Sequence, residues 1–185
     1  MNNQTRFQIC CHEAGHAVIS HILKARRVES LHVFNDTCGF VSLGPMIPYK
    51  NRRADVRDKY ENLIIYLLAG VQAGDKAKMI PWTIVGNPPA HISTNTPTAT
   101  KYRAATFTKM IKGTDAEAPP DAREEERLAK KIYPESYAAF LYWLSRRARA
   151  IVEKHWPTIL PVAALLFHQD HVSRQEFLSI IRRKL

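Results

Sequence analysis

The sequence predicts a mainly α protein of the α+β class, with one small β element after its first helix. Apolar residues recur at helical spacing near the N-terminus, in the middle of the chain and through most of its last third. The β-prone residues are instead concentrated between positions 28 and 43, and no internal repeat is present. A chain of 185 residues fits one domain. We therefore predict a single domain over 1–185, in which 1–112 carries the first helix, the β element and a second long helix, and 113–185 is a helical C-terminal part.

The N-terminal part is predicted to contain two helices that flank a hairpin. The first helix runs from Thr5, a suitable N-cap, to about Lys24. Two short β-prone runs follow, Val28 to Phe34 and Phe40 to Leu43, with a turn-like segment between them. A stripe of apolar residues from Val56 to Val71 then predicts the strongest amphipathic helix in the chain.

The C-terminal part is predicted to be a series of helices. Residues 81–100 are rich in Pro, Asn, Ser and Thr and read as a long loop, and 113–120 is a second weak segment. Ser173 and Glu176 have capping-box spacing before an apolar run. The predicted helices are Asp121 to about Ile132, Glu135 to Trp156, Pro157 to Phe167, and Ser173 to Lys184.

Charge and composition narrow the classes of protein to which the chain could belong. The formal net charge is +10, but the basic residues are scattered and no nucleic-acid-binding module accompanies them, so a solvated basic surface is the simpler interpretation. No stretch approaches 18 uninterrupted apolar residues, and the first residues are polar, so we expect neither a membrane span nor a signal peptide. The three cysteines have no Cys-x-x-Cys spacing, which agrees with a cytoplasmic protein. Cys11 is expected to be a small buried helix residue.

The segment His12-Glu13-Ala14-Gly15-His16 carries the clearest chemical signal. Residues four apart lie on one face of a helix, so both imidazoles can reach a single ion, as in the helical motif of zinc metalloproteases. Glu13 lies beside the ligand pair, where a carboxylate can accept a proton from a metal-bound water. The alternative is a chance arrangement on a helix face. The small Gly15 would let another segment, or a substrate, approach closely.

Several segments resemble the protease domain of the FtsH-type zinc metalloproteases. The zinc motif with its flanking residues, Cys11 to Val18, looks like that of the family, which carries His-Glu-Ala-Gly-His before small apolar residues. Gly39 to Leu43 resembles the glycine-aromatic strand that follows the metal helix in that family. Ile64 to Gly70 resembles its long helix ending in Ala-Gly, and Leu160 to Ile181 is similar to its closing helices. The resemblance implies a zincin-like helical metalloprotease domain.

The resemblance also implies a third ligand. In the family an aspartate that opens a downstream helix completes the metal site, and an alanine followed by a basic residue comes eight residues later. Asp121 with Ala129-Lys130 resembles this pattern, so Asp121 joins His12 and His16 as the implied zinc ligands. Glu125 and then Glu124 are the alternatives. Asp121 could instead merely cap the helix that follows Pro119-Pro120.

Other polar residues fit a metal site less well. Ile22 occupies the position of the third histidine in the extended motif, and His21 is expected to face away from His16. Glu61, at the predicted start of the second long helix, could imitate the downstream glutamate of thermolysin-like enzymes, but its neighbours do not match. The remaining histidines are expected at the surface or at helix ends: His32, His91, His155, His168 and His171.

Three functions remain open from the sequence. Only eleven residues precede His12, so no ATP-driven module is expected before it, and an ATP-independent zinc endopeptidase acting on unfolded or flexible polypeptides is favoured. Glu13 would be its catalytic base, and the strand around Leu31 to Phe34 would pair with the substrate. The alternatives are a catalytically inactive binding or regulatory protein on a protease fold, and a basic nucleic-acid-binding helical protein. The oligomeric state stays open.

Overall fold

The computed structural model describes residues 3–34, 38–46, 53–80 and 120–184. The prediction of a mainly α protein with a small β element is confirmed for these residues. The predicted loop at 81–100, the weak segment at 113–119 and His91 lie outside the described residues. The elements in chain order are α1 (Asn3–Ile22), β1 (Arg26–Val33), β2 (Gly39–Met46), α2 (Arg53–Lys78), α3 (Pro120–Ile132), α4 (Tyr137–Gln169), β3 (His171–Ser173) and α5 (Arg174–Lys184).

Helix α1 lies at the centre of the fold, between α2, α4 and the sheet. Its side chains are buried almost without a break from Cys10 to Ser20, so α1 has little exposed face over this stretch. The predicted start at Thr5 is wrong, because α1 already begins at Asn3. The side-chain amide of Gln4 donates hydrogen bonds to the carbonyl oxygens of Ala77 and Ile80, at 3.1 and 3.2 Å, and so fastens the first turn to the end of α2.

The β element is a three-stranded antiparallel sheet in the order β2-β1-β3. The hairpin of β1 and β2 agrees with the prediction, whereas the three residues of β3 were not predicted as a strand. A segment this short has too few residues to show alternation, and its pairing with β1 is long-range. Leu31 and Val33 of β1 are buried in the core, so Ser30 and His32 lie on the opposite face of the sheet.

Helix α2 packs against α1 through small residues. Ala69, Ala73 and Ala77 are fully buried at successive helical turns, whereas Val71 is 40% exposed. The predicted apolar stripe therefore continues to Ala77 and does not include Val71. A Cβ atom on Gly15 of α1 would come within 2.6 Å of the Ala73 Cβ, so the glycine permits the close approach of the two helices. The resemblance placed the end of this helix at Ala69-Gly70, but α2 continues to Lys78.

Helix α4 is one continuous helix of 33 residues, where two helices were predicted. Pro157 and Pro161 lie inside it, four residues apart and therefore on one face, with one exposed and the other half-buried. The opposite face is buried in the core beyond the prolines as well as before them, at Ile159 and Val162 among others. This burial holds α4 together in spite of an interior-proline penalty of about 3 kcal/mol each. Among the described helices, α4 alone is long and apolar enough to cross a membrane, but a core helix of a soluble protein can have the same length and composition.

The capping box before α5 is confirmed. The Ser173 hydroxyl donates to a carboxylate oxygen of Glu176 at 2.6 Å, the Ser173 backbone N–H donates to the same oxygen at 2.9 Å, and the Glu176 N–H donates back to the hydroxyl. Phe177 and Ile181, which follow on one face of α5, are buried. The cap therefore fixes the point at which β3 turns into α5.

Candidate metal centre

The structure brings His12, His16 and Asp121 together. The Nε2 atoms of the two histidines are 2.9 Å apart, and the Asp121 Oδ2 lies 3.2 Å from His16 Nε2 and 3.4 Å from His12 Nε2. The histidines are one turn apart on α1, and Asp121 is the second residue of α3. These three side chains form a cluster that could hold a metal ion, with all ligand atoms within 4.8 Å of one another.

The orientation of His16 is fixed by its other ring nitrogen. His16 Nδ1 donates a hydrogen bond of 2.9 Å to the backbone carbonyl oxygen of Tyr66, which can only accept. In the neutral ring this places the proton on Nδ1 and leaves the lone pair of Nε2 directed at His12 and Asp121. A partner of this kind, which sets the tautomer of a ligand histidine, is typical of metal sites.

Gly70 makes room for the His16 ring. A Cβ atom built on Gly70 would lie 2.2 Å from His16 Nε2 and 2.4 Å from its Cε1, far inside van der Waals contact. His16 is 3% exposed, so the ring has little freedom to move away. The position of this imidazole therefore depends on the absence of a side chain at residue 70.

The donor set fits zinc. Two imidazole nitrogens and one carboxylate oxygen are ligands that this ion prefers, and three protein ligands leave a fourth position open, as in catalytic sites. Ligands about 2.0–2.1 Å from a tetrahedral zinc ion lie about 3.3 Å apart, close to the separations found here. Two imidazole lone pairs and a carboxylate are all acceptors unless a ring is protonated, so a cation suits this cluster.

Asp121 is held in its ionised form by the two histidines. Burial by itself raises the pKa of Asp121, but its close polar contacts with the His12 and His16 rings outweigh burial and lower the pKa well below its usual value. The carboxylate also lies in the first turn of α3, where the helix dipole stabilises negative charge. Asp121 therefore offers an anionic oxygen to the cluster.

Glu13 is a buried carboxylate beside the cluster. It is 6% exposed, and it lies against the start of β2, since a Cβ atom on Gly39 would meet the Glu13 Cγ at 2.8 Å. Burial raises the pKa of Glu13 to about 7; the nearby His12 lowers it and the charge of Asp121 raises it. A carboxylate with a pKa in this range can both accept and return a proton near neutral pH.

The alternative ligands lie outside the cluster. Glu124 forms an ion pair with Arg127 on the surface of α3. Glu125 is buried, and its Oε1 has no hydrogen-bond partner among the described residues. Burial, followed by the charge of Asp121, raises the pKa of Glu125 to about 7. Neither glutamate joins the three residues that could hold a metal ion.

His21 and Glu61 also lie away from the cluster. The ring of His21 contacts Phe177 of α5, at 5.8 Å between centroids, so the prediction that it faces elsewhere is confirmed. Glu61 does not open α2, which begins at Arg53. Its buried carboxylate accepts hydrogen bonds from Arg57, at 2.9 Å, and from Arg147 of α4, at 3.4 Å. Glu61 thus joins two helices and is a structural residue.

The remaining histidines divide between the sheet and α4. His32 lies on β1 and His171 on β3, and both are half-buried, so neither lies at a helix end. The two rings are 4.6 Å apart, and the His32 ring also stacks on Phe40 at 4.6 Å. Burial, with a smaller effect of His171, lowers the pKa of His32 to about 4. His168 is exposed in the last turn of α4, as expected.

His155 is half-buried inside α4 rather than at a helix end, and burial lowers its pKa. Cys11 is fully buried in α1, as predicted, and burial raises the pKa of its thiol well above the usual value. A buried thiol that stays protonated is a core residue. Neither side chain takes part in the cluster.

Three contributions to the site were not assigned from the sequence: the carbonyl of Tyr66, the missing side chain of Gly70 and the contact of Gly39 with Glu13. A backbone carbonyl carries no signal in the residue type. A glycine inside a strongly helical segment does carry one, because it costs about 1 kcal/mol relative to alanine and suggests close packing. Its partner could not be identified without the fold.

Neither a scan against protein-family models nor a search of curated proteins found a match to this chain.

Proposed function

We propose that this chain is an ATP-independent zinc metalloendopeptidase of the zincin-like, FtsH-type class, which hydrolyses unfolded or flexible polypeptides. The observation that carries the proposal is the convergence of His12, His16 and Asp121 next to the buried carboxylate of Glu13. A site that served only to stabilise the fold would have no need of a base with a raised pKa beside the ligands.

Each residue of the site has a distinct role in this proposal. His12 and His16, through Nε2, and Asp121, through a carboxylate oxygen, would hold the zinc ion. When bound, zinc supplies a Lewis acid that polarises the scissile carbonyl and lowers the pKa of a coordinated water. Glu13 accepts the proton of the attacking water on its carboxylate and delivers it to the leaving amine. The Tyr66 carbonyl keeps His16 in the tautomer that this arrangement needs.

We propose that an extended substrate pairs with β2 rather than with β1, where the sequence led us to expect it. Residues 30–32 of β1 are paired with β2 on one side and with β3 on the other, so the strand around Leu31 to Phe34 has no free edge there. Within the described part of the sheet, β2 is an outer strand. Its first residue, Gly39, lies against Glu13. An extended peptide added to the outer edge of β2 would pass close to the proposed base.

The proposal is tested with purified, zinc-loaded protein and a casein or peptide-library substrate. We expect cleavage that a chelator abolishes, that zinc restores and that ATP does not change. Glu13→Gln should keep its zinc and lower kcat by about 10²–10⁴, the usual contribution of a general base. Glu124→Gln, the same chemical change at an exposed residue outside the cluster, is the matched control and should keep full activity.

Two results would contradict the proposal. Zinc-dependent cleavage that survives in Glu13→Gln would show that the base is wrongly assigned. Full zinc occupancy of the wild type without cleavage of any peptide would instead favour a catalytically inactive binding protein on this fold.

A further inference from the structure

The solvent-facing side of α4 is unusually apolar for an exposed helix face. Tyr142 and Trp143 are 66% and 51% exposed, and they form the one adjacent pair among the large hydrophobic residues that are exposed in the described chain. Ala138, Ala139 and Ala150 are exposed on the same side of the helix. Large exposed aromatic residues that share a face are typical of interaction surfaces.

The same face is strongly basic. Its exposed side chains between residues 138 and 157 include four cations, Arg146, Arg147, Arg149 and Lys154, and a single acid, Glu153. Glu153 is paired with Arg149, at 3.3 Å, and Arg147 is paired with Glu61 of α2, at 3.4 Å, so the excess of positive charge on this side of α4 comes from Arg146 and Lys154. The excess agrees with the net charge of +10 of the whole chain.

Cations and rings of this face are arranged together. The Arg147 guanidinium lies over the Trp143 ring, 5.6 Å from its centroid, and Arg146 Nη1 donates a hydrogen bond of 3.3 Å to the Tyr142 hydroxyl. A partner that binds this face would therefore contact positive charge and aromatic rings side by side. The Trp143 ring already contacts the Arg147 guanidinium and also stacks on Phe140, 6.3 Å between centroids, so it is poorly placed to stack on a nucleic-acid base.

The other side of α4 excludes a membrane-spanning role within this fold. Leu144, Ala148 and Val152 lie in the same stretch of α4 as the exposed residues, but on the opposite face, and they are buried in the core. A transmembrane α4 would have to leave these contacts and take the core apart. The helix can instead lie flat on a surface, with only its outer side in contact.

We propose that the outer face of α4, defined by Tyr142, Trp143, Arg146, Arg147, Arg149 and Lys154, docks on the surface of an anionic phospholipid bilayer. Tyrosine and tryptophan rings favour the boundary between lipid headgroups and acyl chains. Arginine and lysine side chains can reach the phosphates while their aliphatic parts remain in the apolar layer. The docked protein keeps its fold, and the metal centre between α1 and α3 is not part of the contact.

The test is binding of the full chain to phosphatidylcholine vesicles with and without 30% phosphatidylglycerol. We expect the protein to sediment with the anionic vesicles but not with the neutral ones, and we expect salt to weaken this binding. The double variant Trp82→Phe/Trp156→Phe keeps Trp143 as its remaining tryptophan. Its tryptophan fluorescence emission should shift to the blue when the protein binds the vesicles. Tyr142→Ser/Trp143→Ser should lose binding, and Arg146→Gln/Lys154→Gln should weaken it about 25-fold, since one basic residue near an anionic surface contributes about five-fold.

Arg182→Gln/Arg183→Gln removes the same charge from exposed positions on α5 and is the matched control, which should bind as the wild type does. All substituted side chains of the α4 face are exposed, and a thermal unfolding curve for each variant checks that the fold is intact. The proposal is overturned if the protein does not bind anionic vesicles, or if it binds oligonucleotides but not vesicles. It is also overturned if the control variant loses as much affinity for the vesicles as Arg146→Gln/Lys154→Gln does.

Discussion

Single side chains from distant parts of the sequence make up the candidate metal centre. His16 and Asp121 are 105 residues apart in the chain, yet their ligand atoms are 3.2 Å apart. Two of the three ligands have support of their own: the Tyr66 carbonyl orients His16, and the start of α3 favours the charge of Asp121. Glu125, one turn after Asp121, is also buried but lacks such support at Oε1.

The ligand assignment gives the first prediction at this scale. Asp121→Ala should lower zinc affinity by more than about 100-fold, because even the partners that orient a ligand contribute 10–100-fold. Glu125→Ala should bind zinc as the wild type does. Metal analysis after dialysis against a competing chelator measures both. Equal zinc content in Asp121→Ala and the wild type would rule out Asp121 as a ligand, whereas loss of zinc in Glu125→Ala alone would make Glu125 the ligand.

His32 gives a prediction of pH dependence. Burial among Phe34, Phe40 and His171 lowers its pKa in the folded protein to about 4, compared with an ordinary histidine pKa of 6.5. The unfolded chain therefore binds more protons between these values, so the free energy of unfolding should decrease as the pH falls from about 6.5 to about 4.

The variant that tests this dependence is His32→Phe, which keeps a stacking ring and removes the titrating group. Between these pH values, the unfolding free energy of the variant should change less steeply with pH than that of the wild type. The difference in slope should correspond to at most about one proton bound on unfolding. Urea unfolding at several pH values measures the slope. If the two slopes were the same, His32 would not be the group responsible.

At the scale of elements, α1 and α2 approach each other closely where a glycine of one helix lies against the other. Gly15 of α1 faces Ala73, and Gly70 of α2 faces His16, so each helix has a glycine where the other approaches closely. Gly74, one turn beyond Gly70, differs from these two. A Cβ atom there would meet its nearest neighbour, the His12 Cβ, at the ordinary distance of 3.6 Å.

This difference predicts opposite effects for two identical substitutions. Gly70→Ala should displace the His16 ring, lower zinc binding at least about ten-fold and destabilise the protein. Gly74→Ala should be tolerated, and it should stabilise α2 by up to about 1 kcal/mol because alanine favours the helix. Zinc affinity and thermal unfolding of both variants measure this. Similar behaviour of the two would show that the contact of Gly70 with His16 does not limit the site.

At the scale of the whole molecule, the candidate metal centre joins the N-terminal and C-terminal parts of the chain. Two of its ligands belong to α1, which lies in the core, and the third belongs to α3, which packs on α2 and α4. An ion bound to the folded state alone would stabilise the fold as a whole.

We therefore expect zinc to raise the unfolding temperature. Free zinc at 100 times its Kd should add about 2.7 kcal/mol, which corresponds to about 5–10 °C for a chain of this size. The increase should disappear in Asp121→Ala and with a chelator. Calorimetry with and without zinc measures it. An unfolding temperature that zinc leaves unchanged would mean that the cluster does not bind the ion in the folded protein.

The sequence by itself determined the features that depend on neighbours along the chain. The His12 and His16 pair, the mainly helical class, the hairpin of β1 and β2 and the capping box at Ser173 all follow from local spacing, which fixes the face of a helix or the geometry of a cap. The resemblance to a protease family pointed to Asp121, but no local pattern could bring it to the histidines.

Only the tertiary structure decided the features that depend on contacts between distant segments. These are the approach of Asp121 to His16, the fit of the His16 ring over Gly70, the pairing of β3 with β1 and the continuity of α4 through two prolines. In each case local preference is neutral or unfavourable. Burial and packing in the folded chain supply the free energy that decides the outcome.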